Sequence, residues 1–157
     1  MPRTLALAAL LALALAGPFP ERAVPFEGRT LEEGGYFRLE DHLGKTPILL
    51  YFWSSHCRGC LAEGPFIAEL SRRYRGRVLF VGIDVQDFPR MARFRVRDWG
   101  WEFPVVVDYY ADVARAYGVR ATPTTFLLDR EGRVVYVRMG TLDERVITER
   151  IEELLSP

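Results

Sequence analysis

The chain has 157 residues, a length that suggests one domain. Hydrophobic residues make up 49% and charged residues 27%, which marks a soluble globular class and excludes a disordered chain. Lys plus Arg balance Asp plus Glu at 21 each, so no net charge draws the protein to nucleic acid or to an anionic membrane.

Arg3 precedes an unbroken Leu/Ala run from Leu5 to Ala16, which ends in the A-x-A pattern Ala14-Leu15-Ala16. That is the layout of a secretory signal peptide. The run is shorter than the about 20 apolar residues of a membrane span, and an uncleaved anchor is the alternative. Residues 1–16 are therefore expected to be a signal peptide or membrane anchor. Residues 17–25 hold Pro18, Pro20 and Pro25 and read as a linker. Residues 26–157 are the expected domain. Either reading of the leader places that domain outside the cytoplasm, in the periplasm or on the outer face of the cytoplasmic membrane.

Gly34-Gly35 within Thr30–Leu39 signals a hairpin. Pro47–Trp53 is a continuous apolar run that suits a strand buried on both faces. A helix should follow Cys57 and end among Arg72–Arg77, with Pro65 kinking it. Val78–Val85 reads as a second buried strand. Phe88–Trp99 reads as a helix with Met91 and Phe94 inward and Arg90, Arg93 and Arg97 outward. Phe103–Val107 is a third strand, and Asp108 can cap a short helix ending near Tyr117. Thr124–Leu128 and Arg133–Arg138 form a hairpin across Asp129–Gly132. Thr141-Leu142-Asp143-Glu144 reads as a capping box for a last helix with Ile147, Ile151 and Leu154 on one face. Alternation in the middle and a hairpin at the end predict an α/β protein whose mixed sheet is sandwiched by helices.

The two cysteines, Cys57 and Cys60, are two residues apart at the strand-to-helix junction. A bridge between them closes a very short loop and constrains little of the unfolded chain, so redox chemistry explains them better than stapling. At a helix N-terminus, unpaired N–H groups and the helix dipole favour a thiolate on Cys57, and Arg58 adds a positive charge. Cys60, a turn deeper, can resolve the mixed disulfide that Cys57 forms. A zinc site would need two more ligands, and only His42 and His56 are available, the latter cramped against Cys57. No metal and no separate cofactor is expected; the redox group is the Cys57–Cys60 disulfide. Confinement of both cysteines to one CxxC also disfavours a peroxidase. Arg72, Arg73, Arg75 and Arg77, and Arg90, Arg93, Arg95 and Arg97, are either solvated helix faces or a docking surface for an acidic partner.

The stretch Phe52-Trp53-Ser54-Ser55-His56-Cys57-Arg58-Gly59-Cys60, followed by Glu63 and Pro65, resembles the active-site segment of the TlpA/ResA-like thioredoxins, an exported branch of that superfamily. Gly118–Phe126 is similar to the family's G-V-x-x-x-P-T loop. Gly82-Ile83-Asp84-Val85, the next helix and Phe103-Pro104-Val105 resemble its central αβ insertion. The resemblance covers about Leu39 to Leu155 and implies a thioredoxin fold with an N-terminal hairpin. It implies that Cys57 attacks, that Cys60 resolves, and that Glu63 handles protons near them; an exposed Glu favouring the helix dipole is the plain alternative. It implies a cis Pro123 with the Thr122 backbone pairing to an extended substrate, against a trans proline in an ordinary loop. Trp53 would pack beside the site, or serve as core. His56 stands where the family usually has Trp, and it either favours the Cys57 thiolate as a cation or replaces the ring's packing.

The implied function is thiol–disulfide exchange on exported proteins, as a reductase in cytochrome c or copper-site maturation. The partners would be an apocytochrome c or a copper-site protein, and a membrane thiol-transfer donor. His56 and Arg58 leave a dithiol oxidase open, and the thiolates leave a Cu(I) carrier open.

Overall fold

The expected first hairpin is present in the computed structural model, which describes residues 17–157. Strands β1 (Glu27–Arg29) and β2 (Tyr36–Arg38) pair antiparallel across Gly34-Gly35. The segment 1–16 lies outside the described residues, and among those described no helix is long and apolar enough to cross a membrane.

The apolar run becomes β3 (Ile48–Trp53), with all six side chains buried. It joins β4 (Leu79–Val85), β5 (Val105–Asp108), β6 (Thr124–Leu128) and β7 (Val134–Met139) in one sheet, ordered β5-β4-β3-β6-β7. β3, β4 and β5 run parallel, whereas β6 is antiparallel to both β3 and β7. Side chains of β3 alternate between two cores. Leu49, Tyr51 and Trp53 pack under α1 (Arg58–Arg73), α2 (Pro89–Trp99) and, through Ile147 and Ile151, α4 (Glu144–Leu155). Ile48, Leu50 and Phe52 pack on the opposite side, with Ala114 of α3 (Asp112–Ala116), Tyr117 and Phe37 of the hairpin. The sheet is thus covered on both faces, as the α/β reading expects.

Two local expectations are corrected. Met91 and Phe94 of α2 point outward, and Ala92, Val96 and Trp99 face the core. Two apolar stripes compete on this helix, and the choice is made by Trp99. Its ring occupies the space beside Gly64 of α1, where a Cβ would lie 2.3 Å from it. The cap of α4 is Asp143, whose side chain accepts from the Val146 amide at 3.0 Å, so the helix starts later than the Thr141 capping box implies. Pro65 lies inside α1, on its exposed side.

The stretch expected to be a linker lies against the domain. Ala23 donates to the Gly132 carbonyl at 2.7 Å and Val134 donates to that of Glu21 at 2.9 Å. Phe19 packs edge-on against Phe126, and the Tyr117 hydroxyl bonds the Val24 carbonyl at 2.7 Å. These contacts lay residues 19–24 across the sheet face opposite α1. The other end of the sheet is closed by the hairpin, where the Leu31 amide donates to Val105 of β5 at 2.9 Å. Covering an edge strand in this way removes a row of unpaired backbone groups.

Candidate active site

β3 ends at Trp53, and the chain turns through Ser54, Ser55 and His56 into α1, whose N-cap is Cys57. Cys57 has extended backbone angles, and its Sγ accepts from the Cys60 amide at 3.2 Å. A sulfur at this position sits against the unpaired N–H groups of the first turn, which favour a thiolate. No acidic residue occupies that turn to oppose it. Cys57 is partly exposed and Cys60 is completely buried; the two are joined as a disulfide with Cα atoms 5.2 Å apart.

Glu63, three residues past Cys60, is only 6% exposed, so it is not a solvated residue of the helix surface. The Tyr51 hydroxyl donates to its Oε1 at 3.0 Å and the Leu142 amide to its Oε2 at 2.5 Å. Burial raises its pKa above the ordinary carboxylate value, against the Leu142 amide, the Tyr51 hydroxyl and the Arg138 charge. Burial, then Glu63, likewise pushes the Tyr51 hydroxyl upward. The two groups thus share a hydrogen bond in the interior, with Glu63 one helical turn past Cys60.

Across the CxxC turn, Thr122–Pro123 is a cis peptide. A Cβ on Gly59 would stand 3.1 Å from Pro123 Cδ, so glycine at that position lets the proline loop approach the turn. Cys57, Cys60, Glu63, His56, Thr122 and Pro123 therefore gather at one end of the sheet. Trp53 does not join them at the surface. It is fully buried, with ring centroids 5.4 Å from Trp99 and 4.8 Å from Trp101, and no substrate can reach it. Trp53 is a core residue, in the same packed cluster as Cys60.

Sequence reasoning missed a pair of carboxyl groups. Asp87 accepts from the Ser55 amide at 2.5 Å, the Ser55 hydroxyl at 2.6 Å and the Phe88 amide at 2.7 Å. It thereby clamps the turn that carries His56, whose Nδ1 is 3.7 Å from Asp87 Oδ1. Behind it, Asp84 is buried on β4, and no N–H or hydroxyl among the described residues reaches its carboxyl oxygens. Burial, then the neighbouring Asp87, pushes Asp84 up to about 9. A neutral Asp84 can donate to Asp87. Burial works against ionisation of Asp87, but bonds from Asp84, Ser55 and Phe88 outweigh it and lower its pKa. The signal in the sequence was a single acid inside the apolar run Val81-Gly82-Ile83-Asp84-Val85.

A mixed five-stranded sheet between helices, with a dithiol at the head of α1 and a cis-proline loop beside it, defines a thioredoxin-fold thiol–disulfide oxidoreductase. Residues 19–137 match the AhpC/TSA family. The chain is 35% identical over 125 residues to the thiol-disulfide oxidoreductase ResA of Geobacillus thermodenitrificans, covering 78% of this chain and 70% of that one. To ResA of Halalkalibacterium halodurans it is 33% identical over 146 residues, covering 92% and 80%. Among solved structures, dsbF from MTB superposes with a TM-score of 0.75 at 28% identity, covering 82% of this chain and 94% of that one. A Chlorobium tepidum protein described as thiol:disulfide interchange protein DsbE gives a TM-score of 0.79 at 25% identity, covering 88% and 98%. This chain belongs to the AhpC/TSA family, and within it resembles the ResA thiol–disulfide oxidoreductases.

Proposed function

We propose that the enzyme acts as a reductase of disulfides in exported proteins, in the maturation of cytochrome c or of a copper site. The observation that carries the direction of attack is the asymmetry of the dithiol, with Cys57 partly exposed at the helix N-terminus and Cys60 sealed behind it. In the reduced enzyme the Cys57 thiolate attacks one sulfur of the target disulfide. The target S–S bond breaks and its other sulfur leaves as a thiolate that takes a proton. Cys60 then attacks Cys57 Sγ, which releases the second target sulfur and forms the Cys57–Cys60 disulfide. Two electrons pass to the target, and a membrane thiol-transfer donor restores the dithiol. No other cofactor takes part.

Glu63 takes the Cys60 proton as that sulfur becomes nucleophilic, a role that suits a buried carboxyl with a raised pKa. Thr122 offers its backbone to an extended target segment next to Pro123, and His56 flanks the attacking sulfur. Export is supported by the layout of residues 1–16. The cytochrome c or copper-site assignment rests on the likeness of Phe52–Pro65 to the TlpA/ResA-like segment.

A Cys60→Ser variant tests the reading, because it stops the reaction at the mixed disulfide. It should capture one or a few exported proteins through Cys57, and a redox titration of the wild type should fall near the about −270 mV of thioredoxin. Recovery of no covalent partner, or a potential near the about −120 mV of DsbA, would refute the reductase assignment.

A further inference from the structure

The loops that follow β4 and β5 enclose a groove beside the cysteine turn. Its near part is a cavity of about 190 Å³ bounded by His56, Thr122, Gln86 and Ala111. Its far part, about 310 Å³, is bounded by Phe88, Tyr109 and Tyr110, with Gln86 again in its wall. Gln86 lines both, so the two parts adjoin at that residue, one beside the cysteine turn and the other at an aromatic end.

The groove is held in shape. Gln86 and Ala111 have φ of +48° and +58°, a left-handed conformation that non-glycine residues keep only where their surroundings enforce it. Here the enforcing contact is shared, since both amides donate to the Asp108 carbonyl at 3.1 Å. The far end is apolar and open. Phe88 and Tyr110 are each 73% exposed and Tyr109 is 53% exposed, although rings of this size are normally covered. The near rim is cationic. Arg120 lines the cavity and makes no ion pair among the described residues, while Asp112 is paired with Arg115 and the Asp87 carboxylate is filled by Ser55 and Phe88.

We infer that this groove is a subsite for the target polypeptide, taking an aromatic or large aliphatic side chain against Phe88, Tyr109 and Tyr110 and a neighbouring carboxylate against Arg120. The inference rests on the reading of Cys57 as the attacking sulfur. Thiol–disulfide exchange on a protein brings the target chain to Cys57, and the groove begins at His56 and Thr122, beside that sulfur. Its aromatic end and unpaired arginine complement an apolar residue next to an acidic one. The subsite selects which disulfide-bearing segments are attacked and leaves the exchange chemistry to the cysteines.

The test uses pre-reduced full-domain enzyme in single turnover, so no electron donor is required. The substrates are decapeptides with one Cys held as a disulfide to glutathione. A Phe-Glu pair is placed at each spacing within four residues on either side of the Cys, with Gly-Gln controls, and glutathione disulfide serves as a reference. At one spacing the wild type should reduce the Phe-Glu peptide about tenfold faster than its control. The Phe88→Ala/Tyr110→Ala double variant should lose that preference, and Tyr110→Phe should keep it. Turnover of glutathione disulfide reports a folded cysteine turn in every sample, and Tyr110→Ala alone carries the test if the double variant fails to fold. Absence of a preferred spacing, or a preference that survives the double variant, overturns the subsite. Failure of the wild type to turn over glutathione disulfide at all overturns the role of Cys57, and the subsite with it.

Discussion

Asp84→Asn should stabilise the protein by an amount that grows with pH. Asp84 is 1% exposed, and burial, then Asp87, moves its pKa from 3.8 to about 9. In the unfolded chain it ionises near the ordinary value. Between pH 5 and 8 the unfolded state has therefore released a proton that the folded state still holds. For a carboxyl raised in this way, the stability it contributes is complete below the unfolded pKa and is lost as pH climbs toward the folded one. The loss is about 1.4 kcal/mol per pH unit, or about 4 kcal/mol by pH 7. Asn has nearly the same volume, can donate its amide to Asp87, and has no proton to lose. Urea unfolding of both proteins at pH 5, 6, 7 and 8 should show the variant's advantage widening by about 4 kcal/mol across that range. An advantage that stays flat with pH would refute the assignment of a neutral, buried Asp84.

Further outcomes follow from the same contacts. Glu63→Gln should slow disulfide exchange by at least about tenfold and flatten its pH dependence, because the amide fills the space but moves no proton; stopped-flow rates from pH 5 to 9 read this, and an unaltered profile would remove Glu63 from proton transfer. Its raised pKa has the same sign as that of Asp84, so the stability of this variant relative to the wild type should rise as pH climbs from the unfolded toward the folded pKa of Glu63 and level off above it. Gly64→Ala would put a Cβ 2.3 Å from the Trp99 ring, and thermal melts should show a loss of about 1–3 kcal/mol. Asp87→Ala strips the acceptor from two Ser55 donors and the Phe88 amide, so it should destabilise by about 2–4 kcal/mol and change the alkylation rate of Cys57, whose turn it loosens. An alkylation rate equal to that of the wild type would show that the clamp does not reach the sulfur.

Much of the architecture could be read along the chain. Ile48–Trp53 announces a central strand because six apolar residues in a row need cover on both sides, and that strand is where it was expected. The cysteine pair follows it directly, so a sulfur at a helix N-terminus needs no distant residue to explain it. The phase of α2 was not legible in the same way. Met91/Phe94 and Ala92/Val96/Trp99 are both plausible inward faces, and the decision belongs to Gly64, on another helix. The start of α4 was misread because Thr141 and Asp143 are both cap-type residues two positions apart, and spacing alone does not choose between them.

What the sequence determined by itself is local: the order of strands and helices, the hairpins, and a dithiol placed where a helix begins. These depend on neighbours a few residues apart, whose spacing and side-chain type state the outcome. Tertiary structure alone decided that Glu63 is buried between Tyr51 and Leu142, that Asp84 and Asp87 stand together behind His56, and that Trp53 belongs to the core. A carboxyl group's protonation depends on how much water and which charges surround it. That environment is assembled from strands and helices far apart in the chain, so it exists only once they have packed.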